Sequence, residues 1–135
     1  MRFLAVDDDL HPVVRSAISK IITANDLVVF TPQVSRESWA VLTRPLDVNG
    51  YGFSPLFVRG VLSDASTIFP FLPDTAEVYE CWTELVTKYE VRGRQVHDAY
   101  HVAAMMVHRV PKVLTLDRRD FSRYEGIEVV FPEEI

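Results

Sequence analysis

The sequence predicts an α/β fold, a three-layer sandwich in which helices flank a mostly parallel β-sheet. Two observations carry this. Short, largely apolar runs (LVVF at 27–30, VLTL at 113–116, IEVVF at 127–131) have the pattern of strands buried on both faces. Between them lie longer segments with helical periodicity and local start and stop signals. Alternation of the two kinds is the signature of a parallel sheet with helical crossovers.

The elements follow in order. Residues 11–24 place Val14, Ile18, Ile21 and Ile22 on one helical face. LVVF is the first clear strand. Thr31-Pro32 then gives an N-cap followed by proline at the first helical position. That helix runs to Arg44 and stops at Pro45, with Val34, Val41 and Leu42 facing inward. The stretch LDVNGYGF is a loop turning at Asn49-Gly50. Ser54-Pro55 repeats the cap-plus-proline signal and opens a helix ending near Ile68. PFLP breaks it. Asp74, with Glu77 three residues on, reads as a capping box. Val78, Trp82, Leu85, Val86 and Tyr89 form the buried stripe of the helix that follows. The basic loop VRGRQ leads to a helix from His97, with Ala99, Val102, Ala103, Met106, Val107 and Val110 on its apolar face. A turn, DRRDFSRYEG, separates the last two strands.

The chain has 135 residues, enough for one domain with a real core. Hydrophobic residues make up 48%, which excludes a disordered chain. The lone cysteine, Cys81, rules out an internal disulfide and suits a reducing cytoplasm. The N-terminal apolar run is too short for a signal peptide, and no segment is long enough to span a bilayer. A cytoplasmic protein is expected. The net charge of −5 argues against a general nucleic-acid coat, which needs a basic surface. It leaves room for a nuclease, because acids that hold cations count as negative until the cations bind.

Three acids stand in unusual contexts. Glu37 lies in the apolar helical run QVSRESWAVLTR. Asp98 opens the helix HDAYHVAAMMVHRV. Asp117 ends the apolar run KVLTLD. Helical phase puts Glu37 and Asp98 on the flanks of buried faces, and flanks line clefts. Asp117 falls at the carboxyl end of a strand, where open α/β sheets bind ligands. Carboxylates gathered there attract hard divalent cations, which take oxygen ligands. Each acid alone also has an ordinary reading: a helix-start charge for Asp98, a surface acid for Glu37, and a turn shared with Asp120 for Asp117. His97 and His101 are spaced i, i+4, with His108 beyond, but no further zinc ligand stands near them. Arg92, Arg94, Arg118, Arg119 and Arg123 can meet a phosphate backbone or simply be solvated.

Two resemblances compete. The opening RFLAVDDDLHPVVRSAI resembles a response-regulator receiver domain. The expected phosphoacceptor region, however, reads PLDVNGYGFSP, where Asp47 ends no apolar strand. From His11 onward the chain resembles a PIN-domain ribonuclease of the VapC toxin type. The residues that carry this are TPQVSRESWAVLTRP, NGYGFSP, HDAYHVAAMM, VLTLDRRDF and the strand after Tyr124-Glu125-Gly126. The resemblance implies a single PIN-like domain over residues 1–135. It implies a quartet of acids binding Mg²⁺ or Mn²⁺, with Glu37, Asp98 and Asp117 as three of them, Asp120 assisting or capping, and Thr115 as a nearby hydroxyl. It further implies an endoribonuclease toxin that acts on RNA, pairs with an antitoxin protein and forms a homodimer. The family's first strand, ending in an Asp-Thr-Asn-like motif, has no clear counterpart, so an N-terminal truncation is expected. In another register, Arg2–Val6 is that strand and Asp7 the first acid. Loss of a central strand would leave backbone groups unpaired, which a substitute strand or a partner chain would have to cover. The alternative function is a catalytically impaired PIN-like protein that only binds an antitoxin or itself.

Overall fold

The computed structural model describes residues 11–135. The receiver-like opening, the candidate strand at 2–6 and Asp7 lie outside the described residues. The chain forms two compact units, one ending at Phe71 and one beginning at Leu72.

The first unit is helical. Helix α1 spans His11–Thr23. Its buried residues are Val14, Ala17 and Ile18, whereas Ile22, expected inside, is exposed. The helix ends in a turn at Asn25, whose φ of 69° is left-handed. Helix α2 spans Pro32–Thr43 and begins as the cap signal predicts: Thr31 Oγ1 accepts the Val34 N–H at 3.3 Å. Its buried residues are Gln33, Ser38 and Leu42. After Pro45 the chain makes a 3-10 turn at Leu46–Val48 and reverses at Asn49. The loop then hydrogen-bonds back onto the end of α2, with Tyr51 N–H donating to Val41 O and Phe53 N–H to Leu42 O. These bonds satisfy carbonyls that a helix end leaves orphaned. Gly50 is required there, because a Cβ would lie 2.1 Å from the Arg44 carbonyl oxygen. Helix α3, Pro55–Ile68, starts with Ser54 Oγ accepting the Phe57 N–H at 3.2 Å. Leu42 and Val58 form a small core with Tyr51, Phe53 and Leu62 packed against them.

Among the described residues the LVVF run forms no strand. Phe30 alone makes an isolated parallel bridge to Phe71, with Phe30 N–H donating to Pro70 O at 3.2 Å. The two rings meet edge-on at 4.9 Å. A strand exists only through a partner's backbone, and among the described residues no further pairing follows.

The second unit is α/β. Helix α4 spans Ala76–Lys88 and helix α5 spans Gln95–Val107. They pack face to face: Val78 and Leu85 share a core with Ala99, Val102, Ala103 and Ala104, closed by Phe121 and Tyr124. Strand β1, Lys112–Leu114, pairs in parallel with β2, Glu128–Val130, in the register Val113 to Val129. The parallel pairing is as expected, and the described sheet is small. Val113 and Val129 lean on the α4–α5 core.

Two local expectations shift. The cap of α4 is Thr75, which accepts the Val78 N–H, not Asp74. Asp74 Oδ1 instead accepts the Tyr100 hydroxyl at 2.7 Å, tying the start of α4 to α5. On α5, Met106 is exposed and Met105 is buried. The run from Val102 to Met105 is buried without a break, so the buried arc there exceeds the stripe expected for one amphipathic face.

Candidate active site

Chain order places the acids of the second unit. Helix α5 leads through a tight turn into β1. From Asp98 to Val107 the helix rises about 14 Å at 1.5 Å per residue. Strand β1 covers only Lys112–Leu114, and the chain bends at Leu116 before Asp117. Residues 121–123, beyond that bend, lie against the first turns of α5. Side-chain contacts agree: Arg123 Nη2 donates to Gln95 Oε1, and the His101 and Phe121 rings lie 6.5 Å apart. Asp98 stands between Gln95 and His101 on α5, half-buried on the flank of the helix as its phase predicts.

Asp117 caps a 3-10 turn, Arg118–Asp120. Its Oδ1 accepts the Arg119 N–H at 3.0 Å, and Thr115 Oγ1 accepts the Asp117 N–H at 3.1 Å. Thr115, the hydroxyl expected beside the site, thus shapes the Asp117 turn. The Asp120 carboxyl is raised from its ordinary value by burial first, then by the Asp117 charge, with Arg119 opposing. Glu37 belongs to the first unit, exposed on α2, and its Oε1 accepts from Gln33 Nε2 at 2.9 Å. Among the described residues, neither unit by itself gathers three His, Cys, Asp or Glu side chains into a metal-holding group.

The arginines divide. Arg118 is engaged: it pairs with Glu134 and lies 4.5 Å over the Phe131 ring. Arg119 is 93% exposed, with Nε 3.8 Å from Asp117 Oδ1. Arg92 and Arg94 are exposed beside the start of α5, around Gly93 with its left-handed φ of 60°. Of the histidines, His108 Nε2 donates to Pro73 O at 2.8 Å.

One residue escaped the sequence reading. Tyr124 is 5% exposed, and its hydroxyl is buried with no hydrogen-bond partner among the described residues. Burial pushes this phenol up, Arg123 opposes the shift, and the Asp98 and Tyr89 charges add to it. A tyrosine in an apolar slot before a Glu-Gly turn carries no signal of that kind.

The chemistry of this end of the unit suits a hard cation. The donors are all carboxylate oxygens, and the upward push of Asp117 on Asp120 is a repulsion that a cation would relieve.

With this geometry in place, the relatives are informative. A PIN domain model matches residues 2–127, nearly the whole chain and spanning both units. The chain belongs to the PIN domain family, whose members are generally nucleases. The receiver-like reading of the opening gives way to this match, which begins at Arg2. The fold is also similar to a chain in the crystal structure of VapBC2 from Rickettsia felis bound to a DNA fragment from their promoter. That likeness has a TM-score of 0.69 at 11% identity, covering 96% of this chain and 90% of that one. It shows a shared fold. No curated protein matches the chain.

Proposed function

We propose that the chain is a VapC-type toxin, an endoribonuclease that uses Mg²⁺ or Mn²⁺ held by Glu37, Asp98 and Asp117. What supports this is that the segment following the Asp117 turn, through Arg123 and Phe121, touches the first turns of α5, where Asp98 stands. Family membership supports a nuclease, and the acids supply oxygen donors of the right type. A divalent cation supplies Lewis acidity, which lowers the pKa of water and offsets charge developing on the phosphodiester. The protein's own part is positional. The α5 start favours the negative charge of Asp98. The Arg119 N–H fixes one Asp117 oxygen. Arg94 and Arg119 can hold RNA phosphates, which sets register without reading bases. Arg118 is committed to Glu134 and is a weaker candidate for that task.

The proposed setting is the cytoplasm. Among the described residues, no helix is long and apolar enough to cross a membrane. A basic side chain of an antitoxin would be drawn to these carboxylates, and self-association as a homodimer belongs to the same proposal. The test is cleavage of structured RNA by purified protein with Mn²⁺. Asp98→Asn should abolish it, and equal cleavage by variant and parent would sink the assignment.

A second reading is a protein that binds without cutting. It is favoured by the lack of a three-carboxylate group within either unit among the described residues. Stoichiometric Mn²⁺ binding supports the enzyme, and no binding at millimolar Mn²⁺ supports the scaffold.

A further inference from the structure

We propose that Glu134 masks a phosphate-binding site at Arg118: its carboxylate occupies the place that an RNA phosphate takes when substrate binds. This rests on the reading of the chain as a ribonuclease. Arg118 opens the turn that Asp117 caps, so it directly follows a proposed ligand in the chain. Its side chain is already restrained for an anion. The guanidinium lies 4.5 Å over the Phe131 ring, and Nη2 donates to Glu134 Oε1. Glu134 is held in its turn: Oε2 accepts the Phe131 N–H at 3.1 Å, and the residue closes the 3-10 turn Pro132–Glu134 that follows β2. A guanidinium fork matches carboxylate and phosphate alike, so the same donors serve either anion. Exposure decides whether the carboxylate can be displaced. The Arg118 and Glu134 side chains are 51% and 48% exposed. An ion pair this open to water contributes little and is screened by salt, so a polyanion can take its place. Arg119, exposed beside it, offers RNA a second cation during the exchange.

The test is fluorescence anisotropy of a short, labelled single-stranded RNA with the full chain in EDTA, where neither cleavage nor a cation contributes. Glu134→Gln keeps the shape and removes the charge. It should bind roughly 2- to 5-fold tighter than the parent, the range an exposed ion pair can withhold. Its affinity should also fall more steeply with salt, by about 0.7 in log–log slope for one added phosphate contact. Glu133→Gln makes the same charge change one residue away on an exposed side chain, and it should leave that slope as in the parent. In an Arg118→Gln background, Glu134→Gln should gain nothing. Equal gains from the two glutamate variants, or a gain that survives Arg118→Gln, would overturn the mask and leave the ribonuclease reading intact. So would a Glu134→Gln variant that melts earlier and binds no tighter, the mark of a merely structural pair. If neither the parent nor Glu134→Gln binds RNA, the mask fails, and Mn²⁺-dependent cleavage by the parent decides the ribonuclease reading separately.

Discussion

Leu42 offers the sharpest test of the packing that carries α2, and with it Glu37. The side chain is 1% exposed and packs with Val58, Tyr51, Phe53 and Leu62. Leu42→Ala deletes three carbons, worth about 2.4 kcal/mol at ~0.8 kcal/mol per methylene. The cavity left behind adds to this, because neighbours relax only in part, and measured Leu→Ala costs run from about 2 to 5 kcal/mol. We expect a loss near 3 kcal/mol, a large share of the roughly 5–15 kcal/mol that holds a domain together. Leu46, four residues on, is the internal control. It is 78% exposed, so Leu46→Ala should cost within about 0.5 kcal/mol. Urea unfolding followed by circular dichroism reads both. With a slope of about 1–3 kcal/mol per molar, the Leu42 midpoint should fall by about 1–3 M while the Leu46 midpoint stays in place. Equal midpoints for the two variants would refute the core described for the first unit.

Thr75→Ala should cost about 1 kcal/mol by uncapping α4, and Thr75→Ser should recover most of it in thermal melts. Loss from Asp74→Ala that persists when Tyr100 is already Phe would contradict the Asp74–Tyr100 bond. Asp120→Asn should raise stability at neutral pH. Folding lifts the Asp120 pKa through burial and the Asp117 charge, so the wild-type carboxyl favours the folded state fully only below its unfolded value of about 3.9. That contribution fades as pH rises through the folded pKa. The advantage of the variant should therefore be present at pH 7 and vanish below about pH 4, and an advantage that grows towards acid would show the sign to be wrong.

What could be read from the chain was what depends on near neighbours. The caps at Thr31 and Ser54 are bonds between residues three apart, and both are where the side-chain types put them. The parallel pairing of the last two strands and the flank position of Asp98 follow from short periodicities. The failures have tertiary causes. Asp74 and Thr75 are both good caps by type. Only the Tyr100 hydroxyl, 26 residues away, decides that Asp74 is spent on α5 and Thr75 caps. LVVF is apolar and β-branched, but no periodicity reveals whether a partner strand lies alongside. Met105 and Met106 exchange places because α5 buries more than one stripe, which only the surrounding elements determine. Tyr124 reads as one more apolar residue, and its burial is set by the α4–α5 core that it closes, which local spacing does not reveal.

The acids nominated as ligands already have structural employment. Asp117 is the cap of its own turn, held by the Arg119 N–H, and Asp98 sits at a helix start where the macrodipole favours negative charge. The Asp117 turn is formed by a backbone N–H to its carboxylate, with no cation required. The upward shift from crowding falls on Asp120, which is pressed by burial and by Asp117. In the site we propose, a cation would meet a turn and a helix end that are already formed. Its binding would act mainly through relief of charge at Asp120, with little left for refolding of the turn. The capping role of Asp117 would not compete with the proposed metal role. The backbone bond to Asp117 occupies Oδ1, and its second oxygen takes no part in that cap.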